Sequence, residues 1–412
     1  MKRTSGVVRL SIALAVLLSL IAGCSAATPR LRESGLNSRF AFAPDTPFET
    51  YVEQTRRMIE RARPDLNELN RAAVLEANSP FELKPDERAF PRMPDGRYRN
   101  GILLTHGLSD SPHHIRAIAR HFQGRGFLVR AVLLPGHGTV PGDLLAVTGD
   151  EWAKAVAYGA DSLRPLVSRL YLGGFSTGGT LSVLTAMKDP GVHGLFLFAP
   201  AFSIKDRRAA LSGLLSTFVN WVGPAQNDDD FAKYESFAVN AAYQIYHLAG
   251  HVRGTLAGGK ILDMPIFAAL SEDDMTVDAA TTLEIFERNA ASPKSRLILY
   301  SPRQERPARG RPDARISVEN SRLPELNVLD FSHPCIPIPP DDPHYGRGSG
   351  YRSCLHYAGN REKWEACRRD GQVPLGEITP ENLAKTTLCR LSFNPLYSRM
   401  MEQMDRFIDA LE

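Results

Sequence analysis

Leu170-Tyr171-Leu172-Gly173-Gly174-Phe175-Ser176-Thr177-Gly178-Gly179-Thr180 is the stretch on which the fold turns. An apolar run of strand character meets glycines, passes through one serine, and continues from Thr177 to Met187 at helical spacing. A serine between Gly174 and Gly178, with a strand before it and a helix after it, is the setting of a nucleophile elbow. Such a turn forces Ser176 into a strained backbone conformation, so its neighbours must be small; Gly174 and Gly178 give that clearance and Gly179 extends it. The serine Oγ then stands at a helix N-terminus, where backbone N–H groups and the dipole favour a developing negative charge. With 32 glycines in the chain the five-residue pattern alone is a weak signal. Its position between strand and helix is what separates it from a glycine-rich turn with a capping serine.

Outward from this point the chain alternates strand and helix. Apolar runs starting at Gly101, Phe127, Gly194, Pro265 and Arg296 predict five more strands. Helical spacing predicts helices from Ile115 to Phe122, Trp152 to Leu166 and Asp278 to Arg288, with others at Phe48 to Ala62 and Pro395 to Leu411. Continuous apolar strands separated by helices predict an α/β fold with a mostly parallel sheet covered on both faces. Sites in such sheets lie at the C-terminal ends of the strands.

A serine hydroxyl needs a base, and the base needs an orienting acid. After the strand at Pro265 comes Leu270-Ser271-Glu272-Asp273-Asp274-Met275-Thr276-Val277-Asp278. Asp274 is the candidate acid; Asp273 and Asp278 are rivals that would otherwise be ordinary helix-start carboxylates. His333 is the candidate base, because it is the first histidine after Asp274 and follows a hydrophobic run, Leu326 to Leu329; His344 and His356 remain alternatives. The order Ser, Asp, His is the one that belongs with this elbow. His106-Gly107-Leu108 ends the first strand of the series, so the N–H groups of Leu108 and Thr177 are the candidate oxyanion donors, with His106 orienting the loop.

His106-Gly107, the turn Pro135-Gly136-His137-Gly138, the Ser176 elbow and Asp274 together resemble the α/β-hydrolase superfamily. The chain most resembles its monoglyceride-lipase and bacterial carboxylesterase branch, grouped with serine aminopeptidase-like hydrolases. The likeness spans about residues 95–335 and the final helix. It implies an α/β-hydrolase fold, an acyl-enzyme mechanism on a small-molecule ester or acyl substrate, and no metal or organic cofactor. It also implies that residues 202–263 are a cap insert, with apolar stripes at Leu211, Leu214, Leu215, Phe218, Val219 and Trp221 and at Phe237, Ala242, Tyr243, Ile245 and Tyr246. Amide or thioester cleavage, or a non-catalytic envelope protein that binds through the fold, are the rival functions. An aminopeptidase needs an acidic pocket, and the visible cluster is Asp228-Asp229-Asp230, expected in solvent. The chain departs from the family pattern in two inserts around the histidine. Residues 302–328 carry six arginines and are expected to be a solvated loop; residues 334–393 carry four cysteines.

The 412 residues are 43% hydrophobic and 23% charged, with a formal charge of +3. That balance is globular and excludes a nucleic-acid footprint, which needs a basic face. Lys2, Arg3 and Arg9 precede an apolar run, Leu10 to Ala22, that ends Ile21-Ala22-Gly23-Cys24. The run is short for a membrane span and has small residues before a cysteine, which resembles a bacterial lipoprotein signal. It implies residues 1–23 removed, Cys24 lipidated and the protein membrane-anchored. Ser25 in place of Asp implies sorting to the outer membrane, facing the periplasm. Residues 24–45 read as a tether before the domain at 46–412. In an exported chain Cys335, Cys354, Cys367 and Cys389 read as two disulfides with three connectivities; Cys335–Cys354 and Cys367–Cys389 is the pairing expected.

Overall fold

The structure is a computed structural model and describes residues 29–206, 219–222, 230–303, 313–369 and 373–412. Strands β1 (Phe81–Leu83), β2 (Tyr98–Thr105), β3 (Phe127–Val132), β4 (Val167–Phe175), β5 (Val192–Phe198), β6 (Ile266–Ser271), β7 (Arg296–Ser301) and β8 (Ile316–Asn320) form one sheet in the order β1-β3-β2-β4-β5-β6-β7-β8. Every neighbouring pair is parallel except β1 with β3. The order reverses beside β4, so the loops after β2 and β4 open into one crevice at the strand C-termini.

Strands β3 and β6 are buried along their whole length, as a sheet covered on both faces requires. One face is packed by α4 (Gly149–Leu163), α5 (Thr177–Lys188), α6 (Val239–Ala257) and α7 (Ala279–Asn289), through Trp152, Leu181, Ile245 and Leu283. The other is packed by α3 (Arg116–Gly124) and α10 (Tyr397–Leu411), through Ile118, Phe122, Met404 and Phe407. Each such fully buried side chain contributes about 1.5–3 kcal/mol of transfer free energy. Ile245, expected in a cap stripe, thus belongs to the main core, and α6 returns the chain to the sheet. Of the other expected stripe, Leu211, Leu214, Leu215 and Phe218 lie outside the described residues, as do the signal segment and Cys24, while Val219 is exposed and Trp221 packs partly buried against the main core.

Three expectations are corrected. The segment read as a tether is folded from residue 29 onward. Ser34 donates from its backbone N–H (2.6 Å) and Oγ (2.7 Å) to Asp143, and the Asn37 amide donates to His137 O at 2.7 Å. Phe40 and Phe42 join Tyr51 of α1 (Phe48–Ala62), the helix before α2 (Arg71–Asn78), and Tyr158 in an aromatic cluster. Polar, aperiodic sequence is held here by side-chain hydrogen bonds and two aromatic anchors. Second, the arginine-rich insert contains β8, whose half-buried residues extend the sheet at its edge.

Third, the disulfide joins Cys354 to Cys367, with Cα atoms 6.0 Å apart; Cys335 and Cys389 are free and buried. The short helix α8 (Arg361–Arg368) carries Cys367 back over Cys354. Cys335 instead packs with Phe331 and Ile336 in the sheet core, and its thiol donates to Ser332 O at 3.1 Å. The Cys389 sulfur lies within 4.8 Å of both bridged sulfurs.

The same insert holds α9 (Pro380–Lys385) and a two-stranded parallel pair, β9 (Leu375–Gly376) with β10 (Cys389–Arg390). This pair lies beside the histidine segment: Leu329 N–H donates to Leu375 O at 2.8 Å, and Leu375 N–H donates to Asn327 O at 2.9 Å.

Candidate active site

Ser176 links β4 to α5 with φ 52° and ψ −115°, in the left-handed half of backbone space that a β-carbon makes costly. Two hydrogen bonds fix it there: its N–H donates to Phe198 O at 2.9 Å, and its carbonyl accepts from Ala201 N–H at 3.1 Å. The glycines give the clearance expected. A β-carbon on Gly178 would sit 2.5 Å from the Thr105 carbonyl carbon and 2.7 Å from His106 O; one on Gly174 would sit 2.6 Å from Thr105 O. The elbow therefore needs glycine where α5 crosses the end of β2.

The three separated candidates meet. His333 Nε2 is 3.0 Å from Ser176 Oγ, and His333 Nδ1 is 2.5 Å from Asp274 Oδ2. All three side chains are buried. The other Asp274 oxygen accepts the N–H groups of Thr276 (2.7 Å) and Val277 (2.8 Å), which fixes the carboxylate plane toward the imidazole. The Phe175 ring lies 4.9 Å from the His333 ring and backs it. Asp273 and Asp278 point elsewhere. Asp278 begins α7 and accepts the Thr281 hydroxyl, while burial, with Asp330 and Glu272 nearby, pushes the Asp273 carboxyl up to about 7. His344 is bound to Asp230 at 3.0 Å, and burial pushes His356 down to about 4.

The Leu108 loop is braced by two neutral histidines. His106 Nε2 accepts Leu134 N–H at 3.1 Å, so its Nδ1 carries the proton, donated to Gly107 O at 2.8 Å. His137, in the Pro135 to Gly138 turn, accepts Ser109 N–H on Nε2 at 3.1 Å. Burial lowers both imidazoles, His137 to about 4, which keeps these acceptors unprotonated. His106 thus ties the loop to the backbone that follows β3. Neither Leu108 N–H nor Thr177 N–H is engaged by a hydrogen bond among the described residues, which leaves both as donors for an oxyanion.

Sequence reasoning missed a buried polar wall beside this centre. Of the acidic cluster expected in solvent, Asp228 and Asp229 lie outside the described residues, and Asp230 is buried and accepts from Tyr345 OH (2.9 Å) and Ala232 N–H (2.9 Å) as well as binding His344. Lys233 lies 5.6 Å from the Tyr345 ring centroid and 5.2 Å from that of Tyr351. Burial alone would lower its ammonium, but Tyr351, Asp230 and Asp110 hold it charged. Asp110, two residues after Leu108, is pushed up to about 7 by burial. Glu377 was missed as well. Burial alone would raise its carboxyl, but the Arg390 charge and hydrogen bonds, with the N–H groups of His333 and Ile378, hold it below the ordinary range. No motif marks these residues, because their partners lie far away in the chain.

A family described as "Serine aminopeptidase, S33" matches residues 96–236, a stretch that includes Leu108, Ser176 and Thr177 and ends before Asp274 and His333. The chain is 26% identical over 198 residues to a thermostable monoacylglycerol lipase of Bacillus sp. (strain H-257), covering 47% of this chain and 78% of that protein. It is 22% identical over 191 residues to a carboxylesterase of Bacillus subtilis (strain 168), covering 45% and 76%. A solved structure from work on LipS and LipT, two metagenome-derived lipolytic enzymes, is 21% identical with TM-score 0.46, covering 54% of this chain and 86% of that one.

Proposed function

The chain is an α/β hydrolase of the lipase and esterase type, and from that premise we propose that it is a serine esterase working through Ser176, His333 and Asp274. The observation that carries the proposal is the His333 imidazole standing 3.0 Å from Ser176 Oγ and 2.5 Å from Asp274, at a strained elbow. Ser176 Oγ attacks the acyl carbon while its proton passes to His333 Nε2. The carbonyl oxygen becomes an oxyanion held by the Leu108 and Thr177 N–H groups. The intermediate collapses, the C–O bond breaks, and His333 returns the proton to the leaving alcohol. Water, deprotonated by His333, then attacks the acyl-enzyme and releases the acid, and Ser176 regains its proton. Asp274 supports the imidazolium formed in each half.

An ester is favoured over a peptide N-terminus by the state of Asp230. Both its oxygens are taken up by Tyr345, and one is shared with His344 and Ala232 N–H, with the Lys233 charge nearby. A substrate ammonium gains little from so occupied an acid.

The proposal extends to the membrane: Cys24 carries lipid and holds the domain at the outer membrane, facing the periplasm. The short apolar run before Cys24 supports this. Among the described residues no helix is long and apolar enough to cross a membrane.

The test is hydrolysis of a p-nitrophenyl ester series by a form starting at residue 25, beside Ser176→Ala. Turnover that vanishes in the variant is expected; equal turnover in both refutes Ser176 as nucleophile. Metabolic lipid labelling that persists in Cys24→Ala refutes the anchor.

A further inference from the structure

One carboxylate oxygen joins the loop that carries the base to the loop that carries the acid. Glu377 Oε2 accepts the backbone N–H of His333 at 3.0 Å and that of Met275, the residue after Asp274, at 3.3 Å. Arg390 closes the arrangement. It donates from Nε to Glu377 Oε1 (2.6 Å), from Nη2 to Oε2 (2.8 Å), and from Nη2 to the Thr276 hydroxyl (2.9 Å). Glu377 N–H donates in turn to Asp330 Oδ1 at 2.6 Å, three residues before His333. The Asn382 amide donates to Asp330 Oδ2 at 2.7 Å and to Glu377 O at 3.0 Å. The Glu377 side chain is fully buried.

We propose that Glu377 and Arg390 are a positioning pair that fixes the separation of His333 from Asp274, and so sets the rate of the proposed reaction. This rests on the reading of Ser176, His333 and Asp274 given above. Asp274 and His333 come from loops after different strands, and nothing in the sheet ladder fixes their mutual distance. Glu377 supplies that constraint from the insert, by binding backbone on both sides at once. A buried ion pair is a poor way to add stability, since apolar residues of the same volume do as well or better. Its value lies in geometry, because a displacement of about 1 Å near reacting groups costs on the order of 100-fold in rate. The pair is also internally neutral, so it fixes the loops without placing a second net charge beside His333.

The test compares wild type, Glu377→Gln, and the double variant Glu377→Gln with Arg390→Met. For each, kcat and KM on p-nitrophenyl esters, the rate of fluorophosphonate labelling of Ser176, and the thermal midpoint are measured. Glu377→Gln is expected to lower kcat and the labelling rate together by about 10- to 100-fold with little change in KM, and to lower the midpoint by stranding the Arg390 charge. The double variant removes the stranded charge, so its midpoint recovers while kcat and labelling stay low. It also supplies a folded protein if the single variant does not fold. Kcat that recovers with the midpoint, or labelling at the wild-type rate in either folded variant, overturns the proposal. Wild type that is labelled at Ser176 but hydrolyses no ester refutes only the ester substrate, and the labelling rates still decide the positioning role. Wild type that takes no label refutes the serine reading and the positioning proposal with it.

Discussion

Gly178→Ala tests how closely the elbow is built. The glycine lies in the first turn of α5, where alanine is ordinarily the better residue by about 0.5–1 kcal/mol. Here the new methyl would lie 2.5 Å from the Thr105 carbonyl carbon and 2.7 Å from His106 O, both backbone atoms that cannot rotate away. Ordinary carbon contacts are about 3.5–4.0 Å, so α5 and the end of β2 must part by about 1 Å. Overpacking of this kind costs about 1–3 kcal/mol, equivalent to a fall in thermal midpoint of about 1–4 °C in a domain of this size. The strain falls on the turn that carries Ser176 and Thr177 N–H, so kcat on esters should drop on the order of 100-fold. The control is Gly254→Ala in α6, exposed and with no atom within 4 Å of the added carbon. It should raise the midpoint by a degree or more, through helix propensity alone. Circular dichroism melts and ester turnover read both outcomes. Gly178→Ala with the wild-type midpoint and kcat would refute the close-approach argument.

Asp274→Asn should lower kcat by about 10⁴-fold with the fold intact, because an amide held by Thr276 and Val277 N–H favours the wrong imidazole tautomer; turnover near wild type would move the acid elsewhere. The carboxyl of Asp273 is raised to about 7, so its stability contribution is present below the ordinary carboxylate range and lost as pH rises toward 7. Urea unfolding of Asp273→Asn should therefore show a flatter decline across that window, and an unchanged slope would contradict it. Thiol titration of the unfolded, unreduced form starting at residue 25 should find two free thiols, Cys335 and Cys389; none would indicate two bridges.

The six strands with continuous apolar runs are readable in the chain because a doubly covered parallel sheet leaves its central strands no solvent face. The two missed strands of the main sheet fail that test. β1 has three residues, and β8 is a half-buried edge next to an arginine-rich stretch. That Ser176, Asp274 and His333 come together could be anticipated, because order and strand-end position constrain the candidates. Glu377 is not, since it owes its role to His333 and Met275, 44 and 102 residues away. The cysteine pairing is illegible for the same reason: α8, not sequence distance, decides which sulfurs meet.

The insert between His333 and α10 leaves and rejoins the body at nearly one place, for Asn394 N–H donates to Ile338 O at 2.8 Å. An excursion with adjoining ends is topologically reversible: excising it would leave the rest of the chain path undisturbed. Glu377 removes that freedom. Once a side chain of the excursion holds the backbone of His333, excision is no longer neutral, because it would also take away the support of the loop that carries that histidine. In this protein a detachable path and a dispensable part are therefore different things.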